Sequence, residues 1–421
     1  MERLPGFRDF YPEPLPSKEA WSADLRQRLF DSWRTTARRH GFREYDGPPL
    51  EPLELFTVKS GDEIVGQLYN FVDKGDREIS LRPEMTPTLA RMAAAAERQY
   101  KKPLKWFAIP QLFRYERQQK GRLREHFQFN ADIIGEADPA ADAELIALLI
   151  NTLRELGLTD ADFVVRLSSR LAWQEFYGER ATEPGRSYEF FQIVDKLERE
   201  APERSDAALQ ALGFSLEAVR EFIAAARPTD DLKRILDDLG ARGLGAFVKV
   251  DYLVIRGLAY YTGPVFEAFD RKGEFRAIAG GGRYDNLLKL ISGGRVDLPA
   301  LGFGMGDVVL TELLKARGLV PAVVAGIDVC VLVEDEGLRL ASLRVVQQLR
   351  ETGCAVDYSL TSMKPDKQFK RAVELGAAHT VRLVRGEDGA ISARVKNLRT
   401  REEQVLSPDA VVPALSVRHP A

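Results

Sequence analysis

The sequence predicts a mixed α/β chain in three parts. These are an antiparallel sheet flanked by helices, a helical insertion, and a small C-terminal α/β domain. Three observations carry this reading. Up to about residue 168, strand-like runs are joined by a Gly-containing turn and a polar loop, the pattern of antiparallel hairpins. From about 170 to 245, charged helical segments dominate. Beyond 326, strands and helices alternate strictly, as in a mostly parallel βαβαβ unit.

The elements follow in chain order. Trp21, Leu25, Leu29 and Trp33 recur at helical spacing within 17–40, with Ser17 as a candidate cap and Gly41 as the stop. GFREYDGPPLEP reads as a strand broken at Pro48 and Pro49. QLYNFVDKGDREISLRPE reads as a hairpin turning at Lys74-Gly75-Asp76, and 86–98 as a helix with Pro87 in its first turn. LKWFAIPQLFRYER and HFQFNADIIGE are strand-like and flank the loop QQKGRLRE. A helix over 140–157 precedes the strand DFVVRLSS. After the insertion, strand texture returns in KVDYLVIRGLAYYTGPVFEAF and EFRAIAGGGRYDNLL, with Lys272-Gly273 as the turn between them. LGFGMGDVVLTELLKARG is a Gly-rich strand end running into a helix. The expected domains are a core of 1–168 plus 247–320, an insertion of 169–246, a linker of 321–326, and a C-terminal domain of 327–421 closed by the hairpin ISARVKNL and EEQVLS.

Composition excludes several classes. Basic and acidic residues number 60 and 63, and 45% of residues are apolar, as in an ordinary soluble protein. Cys330 and Cys354 are too few for a disulfide framework, and the four histidines lack metal-ligand spacing, so no metal site is expected. Both thiols sit in apolar strand surroundings and read as core residues. No apolar run approaches a membrane span and no signal peptide is visible, so a cytoplasmic protein without a membrane partner is expected.

Four stretches carry candidate chemistry. In FRYERQQKGRLREHFQFNAD, period-two alternation lets Arg114, Glu116, Gln128 and Asp132 share one face beneath a cationic loop. That suits a polyphosphate beside a polar ligand, since bidentate arginine is the usual phosphate grip; a solvated basic hairpin tip is the plain alternative. In ISLRPEMTPTLAR, Glu84 and Thr86 suit an ammonium group or simply cap a helix. In VIRGLAYYTGPVFEAF, Arg256 and the Tyr260-Tyr261 pair lie in an otherwise apolar strand, where a charge is either paired or used. In AIAGGGRYDNLL, three glycines allow close backbone approach, but neither a Walker loop nor a dinucleotide fingerprint is present.

Taken together and in this order, these stretches resemble the class II histidyl-tRNA synthetases over essentially the whole chain. FRYERQQKGR-x-RE-x-x-Q resembles motif 2 of that family, and REYDGPPLEP its weak motif 1. RGLAYYTGPVFEAF and GGGRYDNL resemble its two histidine motifs, and SMKPDKQFKRAVELGA its anticodon-binding domain. The resemblance implies that histidine and ATP form histidyl-adenylate, which esterifies the 3′ end of tRNA(His). It implies that Arg114 and Arg256 grip the α-phosphate and carboxylate, while Glu116 positions the adenine amino group. Arg122 then reaches the terminal phosphates, His126 stacks on adenine, and Mg²⁺ bridges phosphate oxygens. For histidine it implies Glu84, Met85, Thr86 and Gln128 near the ammonium, with Asp132, Tyr260, Tyr261 and Tyr284 toward the imidazole. It also implies a homodimer.

Two departures stand out. Val308 and Val309 occupy the places of the motif 3 Glu-Arg, as in an organelle-type subset, so Arg122 is expected to carry more of the pyrophosphate binding. Ala259 stands where many relatives carry Asp. The competing reading is a non-catalytic, histidine-sensing regulatory subunit of ATP phosphoribosyltransferase. The full C-terminal α/β domain weighs against it, as do the retained Arg114, Glu116, Arg122 and Arg256.

Overall fold

The computed structural model describes residues 2–13, 15–60, 62–115, 123–181, 184–197, 200–255, 261–320 and 326–415. Two compact units divide at the linker, Met1–Pro321 and Ala322–Ala421.

In the larger unit, β1 (Phe10–Tyr11) pairs in parallel with β2 (Trp21–Ser22), which leads directly into α1 (Ala23–Arg39). The cap of α1 is Ser22, whose hydroxyl accepts from the Leu25 amide at 3.1 Å, and not Ser17. Leu25, Leu29 and Trp33 form its buried stripe, and Trp33 stacks on Phe129 at 5.7 Å. The Pro48-Pro49 break separates two short strands that join different sheets, β3 (Arg43–Glu44) and β4 (Leu50–Pro52). After α2 (Glu54–Ser60), the expected hairpin forms as β5 (Asn70–Val72) and β6 (Glu78–Leu81), and a small sheet runs in the order β4-β6-β5. Asp76 turns that hairpin with φ +55°.

The main sheet, which β3 enters at one edge, continues after α3 (Thr86–Ala95) with β7 (Leu104–Ala108), β8 (Gln111–Phe113) and the long β9 (Glu125–Ile134). It continues past α4 (Ala140–Glu155) with β10 (Phe163–Ser169). Helices α5 (Arg170–Arg180), α6 (Ser187–Val194), α7 (Pro202–Gln210), α8 (Leu216–Ala225) and α9 (Asp230–Ala241) follow. Strand β11 (Val248–Val250), β12 (Pro264–Asp270), β13 (Ala279–Arg283), α10 (Leu287–Ile291), β14 (Ala300–Gly306) and α11 (Asp307–Ala316) complete the unit. The order is β11-β10-β12-β13-β14-β9-β7-β3, with β8 on β9, and every pairing but the two outermost is antiparallel. An antiparallel sheet flanked by helices is therefore borne out. Trp173, Phe190 and Leu232 of the inserted helices belong to the same continuous apolar cluster as Phe129, Val165 and Phe266 of the sheet.

The smaller unit contains β15 (Val329–Leu332), α12 (Arg339–Glu351), β16 (Val356–Tyr358), α13 (Pro365–Glu374), β17 (His379–Arg385), β18 (Ile391–Asn397) and β19 (Glu403–Leu406). The sheet order is β16-β15-β17-β18-β19, parallel through β17 and antiparallel beyond. A closing helix, α14 (Pro408–Leu415), was not expected: Pro413 within it argues against a helix, yet the segment buries Val411 in the domain core. Cys330 and Cys354 are both free and buried, as their apolar settings predict.

Candidate active site

A cavity of about 310 Å³ opens on one face of the main sheet. Strand β9 supplies its polar wall. Because side chains alternate, Phe129, Ala131 and Ile133 enter the apolar core while His126, Gln128, Asn130 and Asp132 all face the cavity.

The floor is glycine. Gly282, Gly302 and Asp132 form one transverse row across β13, β14 and β9, and Gly280, Gly304 and Asn130 form the next. A Cβ on Gly302 would come within 1.9 Å of Asp132 Oδ1, and one on Gly304 within 2.7 Å of the Gln128 amide. Missing side chains on β14 thus let the polar groups of β9 lie flat across the sheet.

Asp132 is 4% exposed and accepts a 2.5 Å hydrogen bond from the Tyr284 hydroxyl. Burial pushes its carboxyl up to about 7, and the Tyr284 bond offsets part of that rise. The residues flanking Tyr284 hold it there. Arg283 donates to the carbonyls of Glu136 and Asp138 at 3.0 and 3.3 Å and pairs with buried Asp142. Asp285 accepts from the Thr262 hydroxyl at 2.8 Å and from the Ala300 amide at 3.1 Å. In GGGRYD, then, Gly280 and Tyr284 line the cavity, while the Arg and Asp are scaffolding. Tyr261 also lines the cavity, from an irregular segment and not from a strand.

Glu84 and Thr86 line the wall where α3 begins. The cap position is held by Met85, which makes no side-chain cap bond, and Pro87 there has no amide hydrogen to satisfy. Met85 between them is fully buried, away from the lining, with its sulfur 3.7 Å from Arg82 Nη1. Arg114 lies just past β8, with Nε donating to the Pro83 carbonyl at 3.1 Å, so the arginine is braced against the segment that carries Glu84. His126 is pushed down to about 3, first by burial and then by the charges of Arg114 and Arg8, and presents a neutral imidazole. Val308 and Val309, at the start of α11, give this end an apolar border.

The cavity therefore brings together Glu84, Thr86, Arg114, His126, Gln128, Asp132, Tyr261 and Tyr284. Glu116, Arg122, Arg256, Ala259 and Tyr260 lie outside the described residues. Sequence reasoning missed Asn130 and the β14 glycines. Their signal was present, since Asn130 continues the alternation of Gln128 and Asp132, and LGFGMG places glycine at every second position. Among the described residues no group of three or more His, Cys, Asp or Glu is arranged to hold a metal ion. The lining fits a divalent ion carried in on phosphate oxygens, not one held in a protein cage.

One end of this cavity thus holds a buried carboxylate and hydroxyl, and the other a guanidinium and a neutral imidazole. Comparisons with known proteins identify the family. A family model described as histidyl-tRNA synthetase matches residues 6–307, and one described as an anticodon binding domain matches residues 327–418. The histidine–tRNA ligase of Opitutus terrae is 45% identical over 428 residues, covering 96% of this chain and 95% of the relative. The chloroplastic/mitochondrial ligase of Arabidopsis thaliana is 38% identical, covering 93% of this chain and 82% of the relative. Among solved structures, apo histidyl-tRNA synthetase of S. aureus aligns with a TM-score of 0.74 at 26% identity, over 99% of this chain and 100% of that one. A Bacillus halodurans protein described as an ATP phosphoribosyltransferase regulatory subunit/histidyl-tRNA synthetase shares the fold, with a TM-score of 0.70 at 21% identity, over 88% and 96%. On the span of the family match and the near-complete coverage at 45% identity, the chain belongs to the histidyl-tRNA synthetase family.

Proposed function

We infer that this chain is a histidine–tRNA ligase, which activates histidine with ATP and transfers the histidyl group to the 3′ end of tRNA(His). The observation that carries the reading is the buried Asp132–Tyr284 pair over a glycine floor, in one cavity with Arg114. The histidine carboxylate attacks the α-phosphorus and pyrophosphate leaves, so the protein's task is alignment and stabilisation of charge growing on phosphate oxygens. Arg114 holds the carboxylate and α-phosphate, a grip that the family resemblance extends to Arg256. Glu84, Thr86 and Gln128 take the ammonium. Asp132, Tyr261 and Tyr284 take the imidazole nitrogens; a ligand lacking them leaves buried groups unpaired, which gives selectivity without an editing domain. Neutral His126 offers a flat ring for adenine beside Glu116. Arg122 takes the terminal phosphates, in place of the arginine that Val309 replaces. Mg²⁺, when bound with the triphosphate, would supply screening of the phosphate charge, and among the described residues no cluster of carboxylates or imidazoles would hold it.

The regulatory-subunit reading has no support. Ligases align over nearly the whole chain at 36–45% identity, and the region matching the anticodon domain is intact. In the larger reading, that domain contacts the anticodon and helices α5–α9 clamp the acceptor stem. A homodimer forms through the small β4-β6-β5 sheet and the adjoining α2, where Leu50, Phe71 and Val72 of the sheet and Val58 of α2 are 41–59% exposed. No helix among the described residues is long and apolar enough to cross a membrane, and two buried free thiols fit a cytoplasmic setting. The test is ATP–pyrophosphate exchange with each amino acid in turn. Exchange with histidine alone is expected; histidine binding without exchange would return the weight to a regulator.

A further inference from the structure

No described residue of the first twenty lines the cavity. The N-terminal segment is nevertheless built into the cavity's underside. Arg8 donates from Nε to Glu125 Oε1 at 2.6 Å and from Nη1 to Asp307 Oδ2 at 2.8 Å, and Nη2 reaches their second oxygens at 3.3 and 3.4 Å. All three side chains are at most 3% exposed. The rings of Phe10 and Trp21 flank the guanidinium at 5.0 and 4.6 Å. Both carboxylates have further work: Asp307 Oδ1 accepts from the Phe127 amide at 3.0 Å, and Glu125 Oε2 from the Gln111 amide group at 3.0 Å.

The partners of Arg8 sit directly behind the nucleotide end. Glu125 precedes His126 on β9. Asp307 lies between Gly306 and Val308 at the start of α11, and both neighbours line the cavity. Two residues upstream, the Gly6 carbonyl accepts from the Arg124 amide at 2.9 Å, and the Arg124 carbonyl accepts from the Arg114 amide at 2.9 Å. One short segment therefore spans the base of the hairpin that carries Arg114, the position of His126, and the first turn of α11. The imidazole end has its own braces, Tyr284 to Asp132, Arg283 to Asp142 and Thr262 to Asp285, and shares none of these bonds.

We propose that Arg8 is a positioning residue for the nucleotide end of the site. It fixes the spacing of His126, Arg114 and the α11 start, so its loss acts on ATP and not on histidine. The proposal rests on the ligase reading for its kinetic consequences. The fork matters as well as the charge, because only a guanidinium serves two carboxylates bidentately in one plane.

The test uses the full chain with Arg8→Lys, which keeps the charge, and Arg8→Met, which leaves two buried carboxylates facing each other. ATP and histidine dissociation constants are measured separately by calorimetry, and exchange kinetics alongside. For Arg8→Lys we expect ATP affinity to fall at least fivefold and exchange kcat at least tenfold, with histidine affinity unchanged within twofold. Arg8→Met should show the same split more strongly. Should it not fold, Arg8→Lys together with Gly6→Ala, which sets a Cβ 2.8 Å from Arg124 Cγ, carries the test. Equal losses for both ligands would assign Arg8 a general structural role and overturn the proposal. So would a folded Arg8→Lys protein with unaltered ATP affinity. A wild-type protein that binds both ligands but lacks exchange would instead defeat the ligase reading, while the calorimetric split would still decide the role of Arg8.

Discussion

The two ends of the cavity are made in different ways. At the imidazole end, recognition groups are fixed by side chain to side chain bonds before any ligand arrives: Tyr284 holds Asp132, and Arg283 on Asp142 and Asp285 on Thr262 hold the segment that carries Tyr284. At the nucleotide end the bracing lies one layer behind the lining: Arg8 ties Glu125 and Asp307, the chain neighbours of His126 and Val308, while Arg114 Nε donates to the Pro83 carbonyl and the border at α11 is apolar. The difference matches two tasks. Selecting one small ring requires groups that cannot relax toward a wrong ligand, whereas a triphosphate is gripped largely by charge.

Substitutions at four positions sharpen this contrast. The largest effect belongs to Arg114→Ala, which should cut the exchange kcat about 10²–10³-fold, as when a transition-state donor is removed. Stopped-flow adenylate formation checks it, and a loss confined to KM would assign Arg114 to ground-state binding only. Next is Asp132→Ala, expected to raise the histidine KM about 100-fold while the ATP KM stays within about twofold, since a buried partner group goes unmet. Equal changes in the two KM values would erase the distinction between the ends.

Gly302→Ala should come third. Its Cβ would collide with Asp132 Oδ1, and the overpacking of about 1–3 kcal/mol should appear as roughly a tenfold rise in histidine KM with ATP KM unmoved. A variant with unchanged histidine KM would show that Asp132 can be displaced freely. The smallest effect is that of Tyr284→Phe, a few-fold loss in kcat/KM for histidine, but it carries a pH signature. Ionised Asp132 accepts the ring N–H, so kcat/KM should rise with pH through about 7. The Tyr284 hydrogen bond lowers that carboxyl's pKa, so removing it should move the midpoint higher. Asp132→Asn should retain only the free substrate's imidazole ionisation near about 6.5. The same carboxyl bears on folding. Its raised folded pKa means a stabilising contribution that is complete below about 4 and lost as pH rises through about 7, so ligand-free Asp132→Asn should melt with a flatter pH dependence over that window.

Much of this was legible from local pattern. The alternation in HFQFNADII indicated which side chains of β9 face together, and the strict βαβαβ order of the C-terminal segment survived intact. What was not legible has a common cause. The Arg8 cluster joins residues 117 and 299 positions apart, and no periodicity encodes such a pairing. The caps misled because Ser17 and Ser22 are equally good residues locally, and only the β1–β2 pairing selects the second. Met85 was assigned with its motif neighbours, yet a helix start points consecutive side chains in different directions, and the middle one went inward.

The glycine floor also limits how this pocket can change. A site built with bulky side chains can be enlarged by trimming them, one mutation at a time. On β14 nothing remains to trim at positions 302 and 304, and anything added strikes Asp132 or Gln128. Room for a larger amino acid must then come from shortening the groups that select the ring, on β9 or at Tyr261 and Tyr284. Relaxing the choice of substrate and losing the substrate are, on this floor, the same step, so drift toward a neighbouring amino acid is closed off by geometry.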